Sequence, residues 1–258
     1  PTISNPLASP PASTQYILRA YNLCDTIYDT VMVNVFIPPI INLSGTSIPC
    51  WGSSSTLSVN ATGPHAPYIY SWSNGQAGNT ATNLFAGQYT VTITDSKGCT
   101  KTDTTSLTQP LQLLASIVKQ DVICSGENDG TVTVIPSGGV TAYSYSWSHS
   151  ALINMQTATN LIAGTYSVQI TDMNGCTVLS GITITEPPPI IVNIVSPTTA
   201  ICENQNDTLQ TIAVGGNGAP YNYLWNPGTL TTSSIIVSPT VTTVYTVMVR
   251  DVNGCPSD

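Results

Sequence analysis

The chain has little charge, and above all little positive charge. Only 7% of its 258 residues are charged; Lys and Arg together number five, and the formal net charge is −8. An average soluble protein has about 25% charged residues. Because binding to phosphate groups requires clustered Lys and Arg, we exclude nucleic acid as a partner. Solubility must rest on hydroxyl and amide side chains.

Long apolar runs are also lacking. No stretch approaches the roughly 20 apolar residues of a membrane-spanning helix, and no signal peptide is recognisable. We therefore expect no membrane span in this segment, and we interpret the sequence as a piece of a longer polypeptide.

One block of sequence occurs twice. Residues 81–99 and 158–176 share A-T-N-L-x-A-G-x-Y-x-V-x-I-T-D-x-x-G-C without a gap, and a looser S-P-x-x-x-T-x-Y occurs at 9–16 and 238–245. Self-similarity at a fixed period indicates a tandem array, here with units of about 75 residues.

Within the block, large residues alternate with Thr, Ser or Gln, which is typical of a half-buried strand. The Tyr that opens this strand after an N-L-x-A-G corner resembles the tyrosine corner of Ig-like sandwiches. With turn signals every 8–12 residues, we predict an all-β fold of tandem Ig-like β-sandwiches with about seven short strands each. Six aromatic residues are predicted to lie in the cores: Trp72, Trp147, Trp225, Tyr89, Tyr166 and Tyr245.

We divide the chain into four segments. Residues 1–38 are the C-terminal part of a repeat, 39–110 and 111–187 are complete repeats, and 188–258 are a repeat that lacks its last strand. Paired glycines at 138–139 are interpreted as the end of a strand, and V-G-G at 214–216 is interpreted as a turn. The short proline linkers imply stiff joints, so we expect an elongated rod.

The chain contains seven cysteines, which are spread over the repeats. None of them form the close C-x-x-C pairs that are typical of zinc sites. Cys50 and Cys99, Cys124 and Cys176, and Cys202 and Cys255 hold matching places in their repeats. We predict one disulfide within each repeat, with free thiols as the alternative, and hence an oxidising, extracellular location. Cys24 is left over; its partner is expected upstream of Pro1, or in another molecule.

No catalytic pattern recurs. His65 and His149 do not hold equivalent positions, and no Ser/His/Asp or paired-carboxylate spacing repeats. We predict that the chain is not an enzyme and has no cofactor. The acidic turns offer Ca²⁺ as an alternative, although ordinary turn chemistry also explains them. They comprise Asp95, Asp172, Asp251 and the run Glu127-Asn128-Asp129.

Aromatic residues raise the alternative of a carbohydrate platform. In Y-x-Y-x-W, alternate residues share one face of a strand and point together into a core. That pattern favours a core role for Tyr68, Tyr143 and Tyr221, and leaves Trp51 as the exposed candidate.

The motifs Y-S-Y-S-W-S, S-G-G, N-L-x-A-G-x-Y-x-V-x-I-T-D-x-x-G-C and the closing T-E-P resemble the SprB-type repeat of surface adhesins of gliding Bacteroidota. The resemblance covers 111–187 closely and 39–110 well, although 39–110 lacks S-G-G. The outer segments, 1–38 and 188–258, look like PKD-like units. The resemblance implies a very large secreted surface protein, exported by the type IX pathway and involved in adhesion or gliding.

The resemblance also bears on glycosylation. Bacteroidota O-glycosylate Asp-Thr/Ser-(apolar or Thr) triplets, which predicts glycans on Thr26, Thr30, Thr104 and Thr208. The Asn-x-Ser/Thr sequons at Asn42, Asn60 and Asn206 matter only in a source that has N-glycosylation.

Our leading hypothesis is a non-catalytic structural segment of a large surface adhesin or filament, which contacts neighbouring repeats of the same long chain. The alternatives are an array of carbohydrate-binding modules that recognises surface polysaccharide, and an accessory stalk of a secreted hydrolase. Exposed edge strands also allow lateral self-association.

Overall fold

The computed structural model describes residues 6–149 and 154–257, and every regular element in these ranges is a β-strand. The described residues contain no helix that is long and apolar enough to cross a membrane. The chain divides into two compact units, Pro1–Pro110 and Leu111–Asp258. The prediction of an all-β fold is confirmed.

The first unit contains eight strands. They are β1 (Thr14–Tyr21), β2 (Thr26–Val33), β3 (Ile40–Gly45), β4 (Ser55–Thr62), β5 (Ile69–Trp72), β6 (Thr80–Leu84), β7 (Gly87–Thr94) and β8 (Thr100–Leu107). Strands β1 and β2 form a two-stranded hairpin, while the other six form two antiparallel sheets with the orders β3-β4-β6 and β5-β7-β8.

The second unit contains eleven strands. They are β9 (Leu114–Gln120), β10 (Gly130–Ser137), β11 (Ser144–Trp147), β12 (Thr157–Leu161), β13 (Gly164–Thr171), β14 (Thr177–Ile184), β15 (Ile191–Val195), β16 (Asp207–Val214), β17 (Asn222–Asn226), β18 (Ser234–Val237) and β19 (Thr246–Arg250). Their antiparallel sheets have the orders β9-β10-β12, β11-β13-β14, β15-β16-β18 and β17-β19.

Two three-stranded sheets therefore build the repeat at 39–110 (the first repeat) and the repeat at 111–187 (the second repeat), giving six strands each among the described residues rather than about seven. In the first repeat, Asn74-Gly75 closes a turn between β5 and β6, and the only ladder contact there is an isolated bridge between Ser71 and Ala77. A turn this tight leaves no room for a further strand. The repeat at 188–258 (the third repeat) has five strands, and β19 pairs with β17 and makes a single bridge from Arg250 to Pro256.

Strand alternation produces the cores. In β4 every second residue is buried, and the side chains of Val91 and Ile93 in β7 are fully buried, as are those of Val168 and Ile170 in β13. Each repeat encloses one Trp that is 3% exposed or less: Trp72, Trp147 and Trp225. The indole N–H of each donates to a nearby backbone carbonyl at 2.9–3.0 Å, so the one polar atom of the ring is satisfied.

In the second repeat, the chain enters at one end of the sandwich and leaves at the other. At the entry end, the Gly139 N–H donates to the Leu111 carbonyl at 2.9 Å. At the exit end, the Val122 N–H donates to the Thr185 carbonyl at 3.0 Å. The eight residues of β10 separate these ends by roughly 25 Å, at about 3.3 Å per residue.

Candidate functional site at the repeat junctions

The D-x-x-G-C turn, here called the Asp turn, has the same geometry in all three repeats. Its Asp is buried, and one carboxylate oxygen, Oδ1, accepts the backbone N–H groups of the residues two and four positions later at 2.8–2.9 Å. The Asp N–H in turn donates to the carbonyl of the Cys at 2.9–3.1 Å. The turn therefore fixes the backbone of the cysteine that follows it. These turn cysteines are Cys99, Cys176 and Cys255.

A loop with two consecutive glycines holds the other carboxylate oxygen in two of the repeats. Asp172 Oδ2 accepts the Val140 N–H at 2.9 Å, and Asp251 Oδ2 accepts the backbone and side-chain N–H groups of Asn217 at 2.7 and 2.8 Å. A Cβ on Gly139 would lie 2.7 Å from Asp172 Oδ2, and one on Gly216 would lie 2.6 Å from Asp251 Oδ2. The close approach of the loop to the carboxylate thus requires glycine.

The preceding glycine of each pair makes room for the start of the same repeat. A Cβ on Gly138 would lie 1.9 Å from the Gln112 carbonyl oxygen, and one on Gly215 would lie 2.1 Å from the Pro189 carbonyl oxygen. The sequence identifies these glycines only as the end of a strand and as a turn. Their role in joining the entering chain to the Asp turn required the three-dimensional contacts, although the recurrence of the pair before Y-x-Y-x-W is a visible signal.

The hydrogen bonds lower the pKa of the two carboxylates that accept N–H groups at both oxygens, Asp172 and Asp251. Burial by itself raises the pKa of Asp172, but the N–H groups of Val140, Cys176, Asn174 and Gly175 outweigh it and lower that pKa below its usual value. In Asp251, burial opposes the same effect, and the N–H groups of Asn217, Cys255 and Asn253 lower the pKa. Both turns are therefore held by charged carboxylates at neutral pH.

A second class of cysteine, here called the loop cysteines, comprises Cys50, Cys124 and Cys202. Each begins a turn in which the N–H three residues later donates to the cysteine carbonyl, at 3.1, 3.2 and 3.0 Å respectively. The residue two positions after the cysteine is left-handed in every case, with φ of +73° at Gly52, +77° at Gly126 and +67° at Asn204.

The residue before the linker proline holds this turn in two repeats. The Gly52 N–H donates to Gln109 Oε1 at 2.9 Å, and the Gly126 N–H donates to Glu186 Oε2 at 2.7 Å. The loop cysteine is thereby held next to the point where the chain leaves its repeat.

A disulfide joins the two classes of cysteine across a repeat junction. Cys124 of the second repeat is bonded to Cys255 of the third, with a Cα–Cα distance of 5.4 Å and 131 residues between them. Asn217 strengthens the same junction, because its Nδ2–H group donates to the Ile123 carbonyl at 2.9 Å. Cys124 also packs against an apolar cluster of Ile190, Val249 and Cys255.

The prediction of one disulfide within each repeat is wrong. Cys124 pairs with Cys255 rather than Cys176, and Cys99 and Cys202 are free thiols. Cys50 and Cys176 are disulfide-bonded. The physical reason is that the two cysteines of a repeat lie at opposite ends of its sandwich, about 25 Å apart, whereas a disulfide needs Cα atoms about 4.4–6.8 Å apart. Cys24 is free and exposed, and its expected partner outside this sequence stays a prediction.

The tyrosines occupy the predicted corners. The Tyr89 hydroxyl donates to the Phe85 carbonyl at 3.0 Å, and the Tyr166 hydroxyl donates to the Ile162 carbonyl at 2.9 Å, which is the geometry of a tyrosine corner. Tyr166 is buried; Tyr89 and Tyr245 are half-buried against the cores of their repeats.

The aromatic residues considered for a carbohydrate platform mostly have structural contacts. The hydroxyls of Tyr68, Tyr143 and Tyr221 donate to the carbonyls of Gly63, Gly138 and Gly215 at 2.6–2.9 Å, and their rings pack against the cores. Trp51, in contrast, is 52% exposed. The other loop cysteines are followed by Ser125 and Glu203, so this exposed ring does not recur.

The aspartates considered for Ca²⁺ accept hydrogen bonds from the backbone. Besides the Asp turns, Asp129 Oδ1 accepts the Ile123 N–H at 3.0 Å. Among the described residues, no three His, Cys, Asp or Glu side chains are grouped to hold a metal ion. His65 contacts the Phe36 ring edge-on, and His149 contacts the rings of Trp147 and Tyr166. The two His residues therefore have different aromatic neighbours.

The four Asp-Thr triplets share one local hydrogen bond. In each, the Thr N–H donates to Oδ1 of the preceding Asp at 2.7–2.8 Å. Thr30, Thr104 and Thr208 are exposed and Thr26 is half-buried. The Thr104 hydroxyl also shares a 2.9 Å hydrogen bond with the hydroxyl of Thr90.

Comparison with known proteins identifies one segment of the chain. Residues 116–152 match the SprB repeat family. No curated protein matches the chain.

Several solved structures of tandem Ig domains resemble the chain distantly. The titin segment I67–I69, an E-to-A variant, is 14% identical with a TM-score of 0.40, over 86% of this chain and 98% of that one. Domains 1–5 of Sidekick-1 are 14% identical with a TM-score of 0.36, over 95% and 66%. At these scores, the assignment of an Ig-like sandwich rests on the strand order and the tyrosine corners of the chain itself.

Proposed function

We propose that this chain, which contains a SprB repeat at 116–152, is a non-catalytic structural segment of a large secreted adhesin or filament at the cell surface. The observation that carries the proposal is the Cys124–Cys255 disulfide, which joins two successive repeats instead of closing one. A cross-link at this place strengthens the joint between repeats, which is what a load-bearing segment requires.

The disulfide limits how far the segment can lengthen under load. A pulling force enters the third repeat through the short linker after β14, and the disulfide offers a second covalent path beside that linker. If both sandwiches unfold, the chain between Cys124 and Cys255 still cannot extend, because the bond bypasses its 131-residue separation. At about 3.5 Å per extended residue, the bond withholds roughly 460 Å of length.

Single-molecule force spectroscopy tests this role. Handles attached at the exposed side chain of Gln112 and at the C terminus would pull on the second and third repeats. We expect the oxidised chain to release roughly 460 Å less length than the Cys255→Ser variant when both repeats unfold. A Cys99→Ser variant is the matched control and should behave like the parent chain. Equal lengths from the parent and Cys255→Ser would contradict a mechanical role for this bond.

We further propose that the chain is extracellular and reaches the surface by the type IX pathway, with adhesion or gliding as its context. Disulfides persist in oxidising compartments, and the SprB repeat at 116–152 supports a surface protein. Its partners would be neighbouring repeats, with no cofactor. Immunolabelling of intact cells checks the location, and absence of surface label on cells that make the protein would contradict it.

O-glycosylation of Thr26, Thr30, Thr104 and Thr208 is a separate proposal. All four sites share the hydrogen bond from the Thr N–H to the preceding Asp. Intact-mass measurement on protein from its natural source should show hexose-sized increments that disappear with Thr-to-Ala replacement. A mass equal to that of the bare chain would reject the proposal.

Recognition of surface polysaccharide is the alternative function, and it rests on Trp51. Its 52% exposure would suit stacking on a sugar ring. Because this ring does not recur in the other repeats, an array of equivalent binding modules is disfavoured. Retention on immobilised polysaccharide that is lost in Trp51→Ala would support the alternative, as well as a role as the accessory stalk of a hydrolase.

A further inference from the structure

We infer that Cys202 is the acceptor site for the Asp turn of another repeat of the same type, forming a disulfide with its turn cysteine. This inference deepens the proposed structural role by naming the partner and the bond that joins it. The oxidised Cys124–Cys255 junction in the same molecule is its template.

The Cys202 loop reproduces the loop that holds Cys255. Residues 123–129 read I-C-S-G-E-N-D and residues 201–207 read I-C-E-N-Q-N-D, so Ile, Cys, Asn and Asp recur at the same places. Asn204 is left-handed as Gly126 is, and the Gln205 N–H donates to the Cys202 carbonyl as the Glu127 N–H does to that of Cys124. Both cysteines therefore begin the same kind of turn.

The occupied loop shows what an incoming repeat must supply. At Cys124, the partner provides a turn cysteine held by a buried Asp, and an amide that donates to the carbonyl of the preceding Ile. The Cys255 sulfur also lies 3.4 Å from that Ile123 carbonyl oxygen. Ile201 precedes Cys202 in the same way, so the same acceptor carbonyl is present beside the free thiol.

Cysteine occupancy within each class agrees with this pairing. Among the loop cysteines, Cys50 and Cys124 are disulfide-bonded and Cys202 is a free, exposed thiol. Among the turn cysteines, Cys176 and Cys255 are bonded. Pairing within the third repeat is not available to Cys202, because Cys255 is already bonded to Cys124. Its partner must come from another repeat.

The bond forms by oxidation of two thiols. The S–H bonds of Cys202 and of the incoming turn cysteine break and one S–S bond forms. The two electrons and two protons pass to the disulfide of a thiol–disulfide oxidoreductase, which is reduced to the dithiol. In vitro, oxidised glutathione takes the same role.

A longer chain tests the inference directly. Residues 177–255 would be repeated immediately after Cys255, which adds a closing strand equivalent to β14, the proline linker and a further Asp turn. The copied loop cysteine is replaced by Ser, so that it cannot compete. After oxidative folding with glutathione, thiols are alkylated in denaturant without reduction and counted by intact mass.

We expect two labels, on Cys24 and Cys99, and a cross-linked fragment that joins Cys202 to the C-terminal cysteine. The same chain with Cys202→Ser should take three labels. Four labels, with the Cys124–Cys255 fragment still present as proof of correct oxidation, would count against the inference.

A second extension covers the case in which the added repeat fails to fold. It adds 177–187 followed by 111–187, with the copied Cys124 replaced by Ser, and so supplies a complete six-stranded sandwich. Four labels in both extensions would reject the inference. Two labels in either one would support it. This outcome is independent of force spectroscopy on the 258-residue chain, which can fail by itself and would then reject only the mechanical role.

Discussion

The Asp turns of the first and third repeats differ in how the carboxylate is held. Asp251 is fully buried and receives N–H groups at both oxygens, two of them from Asn217 in the loop that follows paired glycines. Asp95 receives N–H groups at Oδ1 alone, from Lys97 and Cys99. In the first repeat the loop before β5 contains G-P-H-A-P, and it reaches the turn through the His65 carbonyl, which accepts the Ser96 N–H.

The difference shows which parts of the turn are general. The hydrogen bonds at Oδ1 fix the turn cysteine in every repeat, whereas the hydrogen bonds at Oδ2 require a loop with two consecutive glycines. In the third repeat, where Asp251 accepts N–H groups at both oxygens, the turn cysteine is bonded to the preceding repeat. That of the first repeat is a free thiol beside Phe36, whose carbonyl oxygen lies 4.0 Å from Cys99 Sγ.

The largest expected effect separates these two cysteines. Cys255→Ser should lower the free energy of unfolding of the unit Leu111–Asp258 by about 2–5 kcal/mol, because a long loop in the unfolded chain is no longer closed. Cys99→Ser should change stability by less than about 0.5 kcal/mol. Urea denaturation followed by Trp fluorescence measures both. Similar losses in the two variants would show that the Cys124–Cys255 disulfide does not stabilise its unit.

The second effect tests the glycine that admits the carboxylate. Gly216→Ala should cost about 3 kcal/mol, because its Cβ would lie 2.6 Å from Asp251 Oδ2 at a backbone φ of +58°. Gly218→Ala is the matched control in the same loop: φ is also positive, but no atom lies within 4 Å of its Cβ, so about 1 kcal/mol is expected. Thermal unfolding checks the order, and equal losses would attribute the whole effect to backbone strain.

The third effect is on the pH dependence of stability. The lowered pKa of Asp172 means that the folded state binds its proton more weakly than the unfolded state does. Its stabilising contribution is present above the unfolded pKa, about 3.9, and is lost as the pH falls through the lower folded pKa. The slope of stability between about pH 5 and pH 2 should therefore be smaller in Asp172→Asn.

The lowered pKa of Asp121 also makes stability depend on pH in this acidic range, but it does not affect the comparison between the parent chain and Asp172→Asn. The hydrogen bond from Lys119 lowers its pKa, helped by the Thr185 N–H. This contribution is the same in the parent chain and in Asp172→Asn, so the difference in slope belongs to Asp172. Identical slopes would show that the charge of the Asp172 carboxylate does not contribute to stability.

Local patterns in the sequence predicted much of the fold. Alternation located β7 and β13, and the position of Tyr after the N-L-x-A-G corner indicated the tyrosine corners of Tyr89 and Tyr166. These features depend on residues near one another in the chain. In the first repeat, the prediction of about seven strands missed that the tight turn at Asn74-Gly75 joins β5 to β6 without another strand.

The disulfide pairing could not be predicted from spacing. Cys124 lies 52 residues before Cys176 and 131 before Cys255, and matching positions in the repeats are compatible with pairing within a repeat or between repeats. The choice is made by topology. The loop before β10 lies where the chain exits the sandwich and the Asp turn lies where it enters, so Cys124 faces the third repeat instead of Cys176.

The smallest expected effect concerns the tyrosine corners of the first and second repeats. Tyr166→Phe should cost about 1 kcal/mol, because the Ile162 carbonyl loses its donor beside a ring that is 8% exposed. Tyr89→Phe should cost less, since Tyr89 is half-buried and water can reach the Phe85 carbonyl in its place. Urea denaturation of the two variants compares them in the same chain. A larger loss for Tyr89→Phe would mean that burial does not determine how much the tyrosine hydrogen bond stabilises its repeat. The two repeats would then differ in more than the hydrogen bonds to the carboxylate of the Asp turn.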